Sequence, residues 1–273
     1  LLQANCGVGW CFLMRAVYDP EYGFDEAELI FEATRQRFPE AAEPLVGLGV
    51  ARMNAGDLAG AEEALQAAVE RYPTLPPAWH NLGQVALRRG DWPAAVERFE
   101  RALALLPQDP QTQLWLGTAL IEGGGDLERA REVLLAARET LRSDASASLQ
   151  LGALEARQQN WREALRWFDE VLRIDPRHGQ AQLLRAKVLL QLGDGDRALA
   201  ALGEACRLMP SSFEAHFLAG RLLAERGFAD AARPYLTRAL AIDPEGPYAG
   251  EIQAILDVLP PPQAEPDDAA GGR

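Results

Sequence analysis

Cysteine and histidine are scarce in this chain of 273 residues, with three of each. The cysteines lack the C-x-x-C spacing of redox and zinc motifs and are too few for a disulfide scaffold. The histidines form neither H-E-x-x-H nor another metal-ligand spacing. No run approaches 18 consecutive apolar residues, so no segment is predicted to span a membrane. We therefore expect no metal, no other cofactor and no direct membrane insertion.

Positive charge is also in short supply. Lysine and arginine total 27 against 40 acidic residues, which gives a net charge of −13 with neutral histidines. A phosphate backbone would be repelled by this balance, so nucleic acid is not expected as a partner. The chain is 48% hydrophobic and 25% charged, enough apolar material for a packed core.

The beginning of the chain has neither a starting methionine nor the basic segment of a signal peptide, because Arg15 lies inside the apolar stretch. We interpret the chain as a fragment or a processed product. The cysteine count does not fix a compartment. The cytoplasm is the expected location and the periplasm the alternative, while the oligomeric state is left open.

A repeat of about 34 residues runs through most of the chain. A shift of that length aligns residues 79–107 with residues 45–73, and the match recurs seven times. The fourth repeat carries one inserted residue. The predicted repeats cover residues 8–41, 42–75, 76–109, 110–144, 145–178, 179–212 and 213–246.

Fixed positions within the repeat predict two antiparallel helices joined by a short turn. Position 8 is small in six repeats and position 20 is alanine in all seven, which predicts a close helix crossing. Position 24 is always large and apolar and is therefore expected in the core. Proline at position 32 of six repeats predicts the end of the second helix. Turns such as Gly56-Asp57 close the first helix and cap the second.

These positions resemble the tetratricopeptide repeat: Trp79-x2-Leu82-Gly83, alanine at positions 20 and 27, a large residue at 24 and proline at 32. The resemblance covers residues 8–246. It implies an all-α fold, a right-handed superhelical solenoid of antiparallel helix pairs, whose concave groove binds a peptide or a partner protein. The RNA-binding pentatricopeptide family prefers a 35-residue period and basic grooves, so both period and charge disfavour it.

The segment after the seventh repeat is predicted to close the array. Residues 247–259 carry apolar residues on one face and are expected to form a capping helix. Residues 260–273 have no apolar residue larger than alanine apart from prolines and are predicted to be a disordered tail. The repeat array itself is assigned to residues 1–246.

The resemblance places the functional surface on the concave face, to which positions 5 and 9 of each first helix contribute. In the early repeats these positions carry apolar and polar residues, whereas position 9 of the last two repeats is basic. Family members that bind the carboxylate of chaperone tails use lysine and asparagine at these positions, which the early repeats lack. The candidate groove residues are Phe12, Val46, His80, Gln84, Leu114, Thr118, Leu149, Leu183, Lys187, Phe217 and Arg221.

The same comparison of repeat positions suggests roles for two sets of charged side chains. Lys187 and Arg221 occupy position 9 of adjacent repeats and are expected to converge on a carboxylate of the partner. The alternative is that they pair with Glu214 or Glu225 and do nothing measurable. Glu155 and Arg185 are expected either to pair with each other or to extend separately to the surface.

No catalytic constellation emerges from the sequence. The expected function is therefore an interaction scaffold or adaptor that binds a protein or peptide without catalysis of its own. Two alternatives stay open. The chain could be the targeting or recruiting segment of a larger enzyme, of glycosyltransferase or sulfotransferase type, or part of a cell-envelope assembly factor.

Overall fold

The computed structural model describes residues 1–19 and 22–260, and within these ranges it consists of fifteen α-helices without a strand. The all-α class is therefore confirmed. The helices are α1 Leu2–Tyr18, α2 Asp25–Arg37, α3 Glu43–Ala55, α4 Leu58–Arg71, α5 Pro76–Arg88, α6 Trp92–Leu105, α7 Pro110–Glu122, α8 Leu127–Thr140, α9 Ser146–Arg157, α10 Trp161–Ile174, α11 Gly179–Gln191, α12 Gly195–Leu208, α13 Phe213–Glu225, α14 Ala229–Ile242 and α15 Ala249–Val258.

Two compact units divide the chain, and their boundary falls inside α9. The N-terminal unit comprises residues 1–150 and the C-terminal unit begins at Leu151. Within each unit, a first helix packs on the second helix of its own pair, and that second helix packs on the next first helix, as in α5, α6 and α7. Each unit is therefore a stack of helix pairs.

The ends of the helices follow the turn chemistry predicted from the sequence. Six second helices end two residues before the proline at position 32, as α4 does before Pro73. Gly56 adopts a left-handed φ of 89° after α3, and the side chain of Asp57 accepts a hydrogen bond from the Gly60 amide at 2.9 Å. This glycine and aspartate satisfy backbone groups that the helix ends leave without partners.

The core is built from positions 20 and 24 of the second helices. All seven alanines at position 20 and all seven large residues at position 24 have no exposed surface. The fully buried large residues are Phe31, Leu65, Phe99, Leu134, Phe168, Leu202 and Leu236.

The glycine at position 8 makes room for the residue at position 24 rather than for the opposite backbone, which differs from the expectation that two backbones nearly touch. A Cβ atom added to Gly83 would lie 2.5 Å from Phe99 Cε1, and one added to Gly220 would lie 2.7 Å from Leu236 Cγ. Gly49, Gly117 and Gly152 face the position-24 residue of their own repeats in the same way. The small residue therefore accepts a large side chain from the second helix.

The first repeat departs from the 34-residue register. Arg15 occupies position 8 in that register, but its side chain is exposed, and Gly9 takes the role of the packing glycine. A Cβ added to Gly9 would lie 2.8 Å from Phe31 Cε1. Gly9 precedes Phe31 by 22 residues, whereas Gly83 precedes Phe99 by 16, so the repeat positions in α1 do not match those of the other first helices.

The C-terminal end of the described chain is covered by α15. Ile252 is fully buried, and Ile255, Leu256 and Leu259 pack against the same cluster as Leu236. The predicted disordered tail lies outside the described residues, apart from Pro260. No helix in the described ranges combines the length and apolarity needed to cross a membrane.

The contact between Gly83 and Phe99 can be tested by a double-mutant cycle. Gly83→Ala should destabilise the protein by about 1 kcal/mol or more, because overpacking outweighs the gain in helix propensity. In the Phe99→Ala background the same change should become stabilising, because the added methyl group then has space. Urea denaturation measures both effects. Gly203→Ala is the control, since its Cβ would meet nothing within 4 Å. A destabilisation of equal size in both backgrounds would contradict the packing argument.

A second prediction concerns the turn after α9. Gln159 has a φ of 62° at a turn where Gly56, Gly90, Gly124, Gly193 and Gly227 also have positive φ. Side chains disfavour this conformation, so Gln159→Gly should stabilise the protein by up to about 1 kcal/mol. The melting temperature measures the effect. Gln191→Gly, in the last turn of α11, should instead lower the melting temperature. A lower melting temperature in both variants would show that the turn at Gln159 carries no strain.

Candidate functional site

The first helices of the N-terminal unit lie side by side, because α1 contacts α3, α3 contacts α5 and α5 contacts α7. In the C-terminal unit an ion pair joins α11 to α13. We call the surface that these helices present to solvent the first-helix face of each unit. Most candidate groove residues belong to these helices.

Four of the candidate groove residues are buried within the fold: Val46, Leu114, Leu183 and Phe217. Phe217 is only 4% exposed, and the Tyr248 ring covers it with a centroid distance of 5.1 Å. These side chains hold neighbouring helices together and offer little surface to a partner. Leu183 and Phe217, which lie one helical turn before Lys187 and Arg221, are therefore part of the core in this structure.

The remaining uncharged candidates are partly exposed. Phe12 packs at the edge of the cluster around Phe31, and Leu149 lies on α9. Thr118 donates its hydroxyl hydrogen bond to the Leu114 carbonyl oxygen of its own helix at 3.0 Å. His80 and Gln84 stand one helical turn apart on α5 and carry the most polar part of the face.

A chain of hydrogen bonds connects α5 to α7. Gln84 Nε2 lies 3.0 Å from His80 Nε2, and His80 Nδ1 lies 2.6 Å from Thr112 Oγ1. Because an amide nitrogen can only donate, His80 Nε2 accepts, which places the ring proton on Nδ1. Thr112 receives that proton's hydrogen bond and donates its own hydroxyl to Asp109 Oδ2. With a neutral imidazole, each of these three hydrogen bonds therefore has one donor and one acceptor.

Burial lowers the pKa of His80 below its usual value, while the nearby Asp109 carboxylate opposes this shift. The two side chains are 4.0 Å apart at Nδ1 and Oδ2. Protonation would turn Nε2 into a donor facing the Gln84 amide nitrogen, which is already a donor. The neutral form is therefore the one that the surrounding hydrogen bonds fit.

A small cavity of about 220 Å³ lies beside these hydrogen bonds, between the start of α5, the end of α6 and the start of α7. Pro76, Pro77 and Leu106 supply apolar lining, whereas His80 and Asp109 supply polar lining. A larger cleft of about 700 Å³ lies near the first repeats, between the residues after α2 and those after α4. Its lining includes Phe38 and Tyr72, and none of the candidate groove residues contributes to it.

The two late cations form the ion pairs of the alternative interpretation. Lys187 Nζ donates to Glu214 Oε1 at 2.8 Å, and Arg221 Nε lies 3.6 Å from Glu225 Oε1. The Arg221 guanidinium also stands over the Phe217 ring, 5.3 Å from its centroid. All four charged side chains remain substantially exposed. Such exposed pairs contribute little to stability.

Arg185 bonds to Asp169 instead of Glu155. Its Nε donates to Asp169 Oδ1 at 2.7 Å, which joins α11 to α10. Glu155 is buried and accepts a hydrogen bond from Asn160 Nδ2 at 2.8 Å. The expected pairing of Glu155 with Arg185 is therefore wrong, because the Arg185 side chain reaches the neighbouring second helix.

The other two histidines have local structural roles. His178 Nδ1 accepts a hydrogen bond from the Ala181 amide and caps α11, and His216 Nδ1 bonds to the Ser212 carbonyl oxygen. Burial raises the pKa of the Cys206 thiol to about 11, which keeps it unreactive near neutral pH. Within the described ranges, no group of three or more His, Cys, Asp or Glu side chains is arranged to hold a metal ion.

Asp109 and Thr112 are the residues of this site that the sequence columns missed. Asp109 caps α7 by accepting from the Thr112 amide at 3.0 Å, so it sits at a turn position outside the groove columns. Thr112 is at position 3, where the third, fifth, sixth and seventh repeats have alanine. A threonine at this position, three residues after an aspartate, was the available signal.

Stacked helix pairs with these internal positions define a tetratricopeptide repeat protein. The generic tetratricopeptide repeat matches residues 183–247. Residues 30–182 match the cytochrome c-type biogenesis protein H TPR domain, and the chain belongs to that family. Proteins of this repeat class are generally protein-interaction scaffolds.

Similar proteins come from several systems. Anaphase-promoting complex subunit 3 of Schizosaccharomyces pombe is 28% identical over 93 residues, which are 34% of this chain and 14% of that protein. The chain therefore spans about a seventh of this curated relative. PilW, a widely conserved type IV pilus biogenesis factor, has a TM-score of 0.71 at 18% identity and covers 78% of this chain and 98% of its own. YrrB, a TPR protein with an unusual peptide-binding site, has a TM-score of 0.57 at 24% identity, with coverages of 68% and 95%.

The lowered pKa of His80 predicts a pH dependence of stability. Below the unfolded pKa of about 6.5, the unfolded chain binds the proton more readily than the folded chain, so stability falls as the pH drops toward the folded pKa. Between pH 7 and pH 5, the wild-type urea midpoint should fall more than that of His80→Gln. His178→Gln provides the matched control and should follow the wild type. An equal change of the urea midpoint with pH in all three proteins would contradict a neutral, largely buried His80.

Proposed function

We propose that this chain is an interaction scaffold that binds an extended or helical peptide segment of a partner protein on its first-helix face. We further propose that it carries out no catalysis of its own. The observation that carries this proposal is the family match over residues 30–182, more than half of the chain. Repeat proteins of this class generally act by binding other proteins.

The side chains of the first-helix face support this proposal. Hydrogen bonds to the partly exposed His80 and Gln84 hold both side chains in place, so that binding need not order them. In the C-terminal unit, Lys187 and Arg221 are exposed cations that sit at matching positions of adjacent repeats. They suit a partner segment that offers a carboxylate.

A cell-envelope assembly role is the more specific form of the proposal. The matched family is described by cytochrome c-type biogenesis, and PilW is a pilus biogenesis factor. On this proposal the partner is a polypeptide handled during c-type cytochrome assembly. The alternative of a recruiting segment within a larger enzyme remains a prediction, which the full reading frame of the gene would test.

The experiment begins with recovery of partners by pull-down and mass spectrometry from the cell of origin. The binding segment of a recovered protein is then made as a labelled peptide and titrated by fluorescence anisotropy. Lys187→Glu combined with Arg221→Glu should weaken binding by more than tenfold, about 1.4 kcal/mol, because the variant repels the partner carboxylate. The far-ultraviolet circular dichroism spectrum should stay unchanged.

Arg173→Glu combined with Arg207→Glu is the matched control. These arginines also stand 34 residues apart and also pair with nearby glutamates, but they lie on the second helices α10 and α12. The control variant should bind like the wild type. Equal binding by the Lys187 and Arg221 variant, or an equal loss in the control, would contradict recognition at these cations.

A further inference from the structure

The cavity of about 220 Å³ next to His80 is too small for a typical cofactor but large enough for one side chain. A water molecule occupies roughly 30 Å³ in the liquid, so the cavity has the volume of several water molecules. This volume is sufficient for a short branched aliphatic chain. Pro76, Pro77 and Leu106 provide apolar walls for such a group. Leu106 is 49% exposed, which leaves an apolar wall open to solvent.

Asp109 provides the single formal charge among the residues that line this cavity. Its Oδ2 atom accepts hydrogen bonds from the Thr112 amide and hydroxyl. Within the described residues no donor reaches its Oδ1 atom, and the side chain is 30% exposed. His80 directs its Nδ1 proton to Thr112 and adds no positive charge. One carboxylate oxygen is therefore left for a donor from outside the chain.

The combination of His80, Asp109 and Thr112 occurs only at the junction between the third and fourth repeats. The matching residues are Val46, Leu75 and Ala78 around the second repeat and Leu183, Ser212 and Ala215 around the sixth. Around the fourth repeat Asp144 matches Asp109, but Leu114 and Ala147 replace the histidine and the threonine. At this junction, three hydrogen-bonded polar residues that include one carboxylate therefore stand together.

We propose that this cavity is an anchor site for an aliphatic group that bears a protonated amine, supplied by a peptide bound on the first-helix face. The aliphatic part fills the space between Pro76, Pro77 and Leu106, while the ammonium group donates to Asp109 Oδ1. The net charge of −13 also favours a positively charged ligand. The inference rests on the proposed function, since it names the ligand chemistry of that face.

The test uses small probes, so it does not depend on the identity of the partner. Isopentylamine, isovalerate and isopentanol share one aliphatic chain but are positive, negative and neutral at pH 7.5. Selective ¹⁵N labelling of histidine follows the imidazole signals, of which the chain has only three sets. Isopentylamine should shift the His80 signals saturably, with a Kd on the order of millimolar, and leave those of His178 and His216 unchanged.

Two variants separate charge from space. Asp109→Asn keeps the helix cap, because asparagine is as good a capping residue as aspartate, but should weaken the amine by at least tenfold. Leu106→Trp keeps the carboxylate and fills the cavity, and it should also weaken binding by at least tenfold. Asp91→Asn, at the cap of α6, is the matched control and should bind like the wild type.

The outcomes distinguish this inference from the proposed function. Binding of isovalerate as tight as that of isopentylamine, or undiminished amine binding by Asp109→Asn, overturns the anchor site. Unshifted His80 signals at saturating amine concentrations overturn it as well. The peptide titration with the Lys187 and Arg221 variant is independent of these results, because those residues belong to the C-terminal unit.

Discussion

The contact between a small residue on the first helix and a large buried residue on the second is the constraint on which each repeat depends. Gly83 accepts Phe99 at a distance that leaves no room for a methyl group, and the same relation recurs in most other repeats. A glycine inside a helix lowers its stability by about 1 kcal/mol relative to alanine. The packing of a fully buried phenylalanine or leucine outweighs that loss. This contact fixes how the first helix of a repeat packs on the second.

Polar contacts between first helices tie neighbouring repeats together. His80 on α5 bonds to Thr112 on α7, and Lys187 on α11 bonds to Glu214 on α13. The first link is partly buried and depends on a neutral imidazole, whereas the second is exposed and contributes little to stability. The first helices are therefore joined by a partly buried hydrogen bond in the N-terminal unit and by an exposed ion pair in the C-terminal unit.

The repeat, the helix ends and the buried positions could be predicted because each is encoded by residues at fixed spacing. The register of α1 could not, since six more residues separate its packing residue, Gly9, from Phe31 than separate Gly83 from Phe99. The partner of Arg185 depends on which helix its long side chain reaches, and spacing does not encode this. Tyr248 covers Phe217 because the chain folds back before α15, a feature without any periodic signal. Asp109 was overlooked because capping and site roles coincide in one residue.

The assignment of function to the first helices is tested most directly by hydroxyl-radical footprinting of the complex with a recovered partner peptide. This method reports the solvent exposure of individual side chains. The account predicts that protection on binding appears on first-helix residues such as Phe12 and His80. Exposed side chains of the second helices, such as Leu105 and Leu135, should react as they do in the free protein. Protection confined to Leu105 and Leu135, with unchanged reactivity on the first helices, would contradict the account.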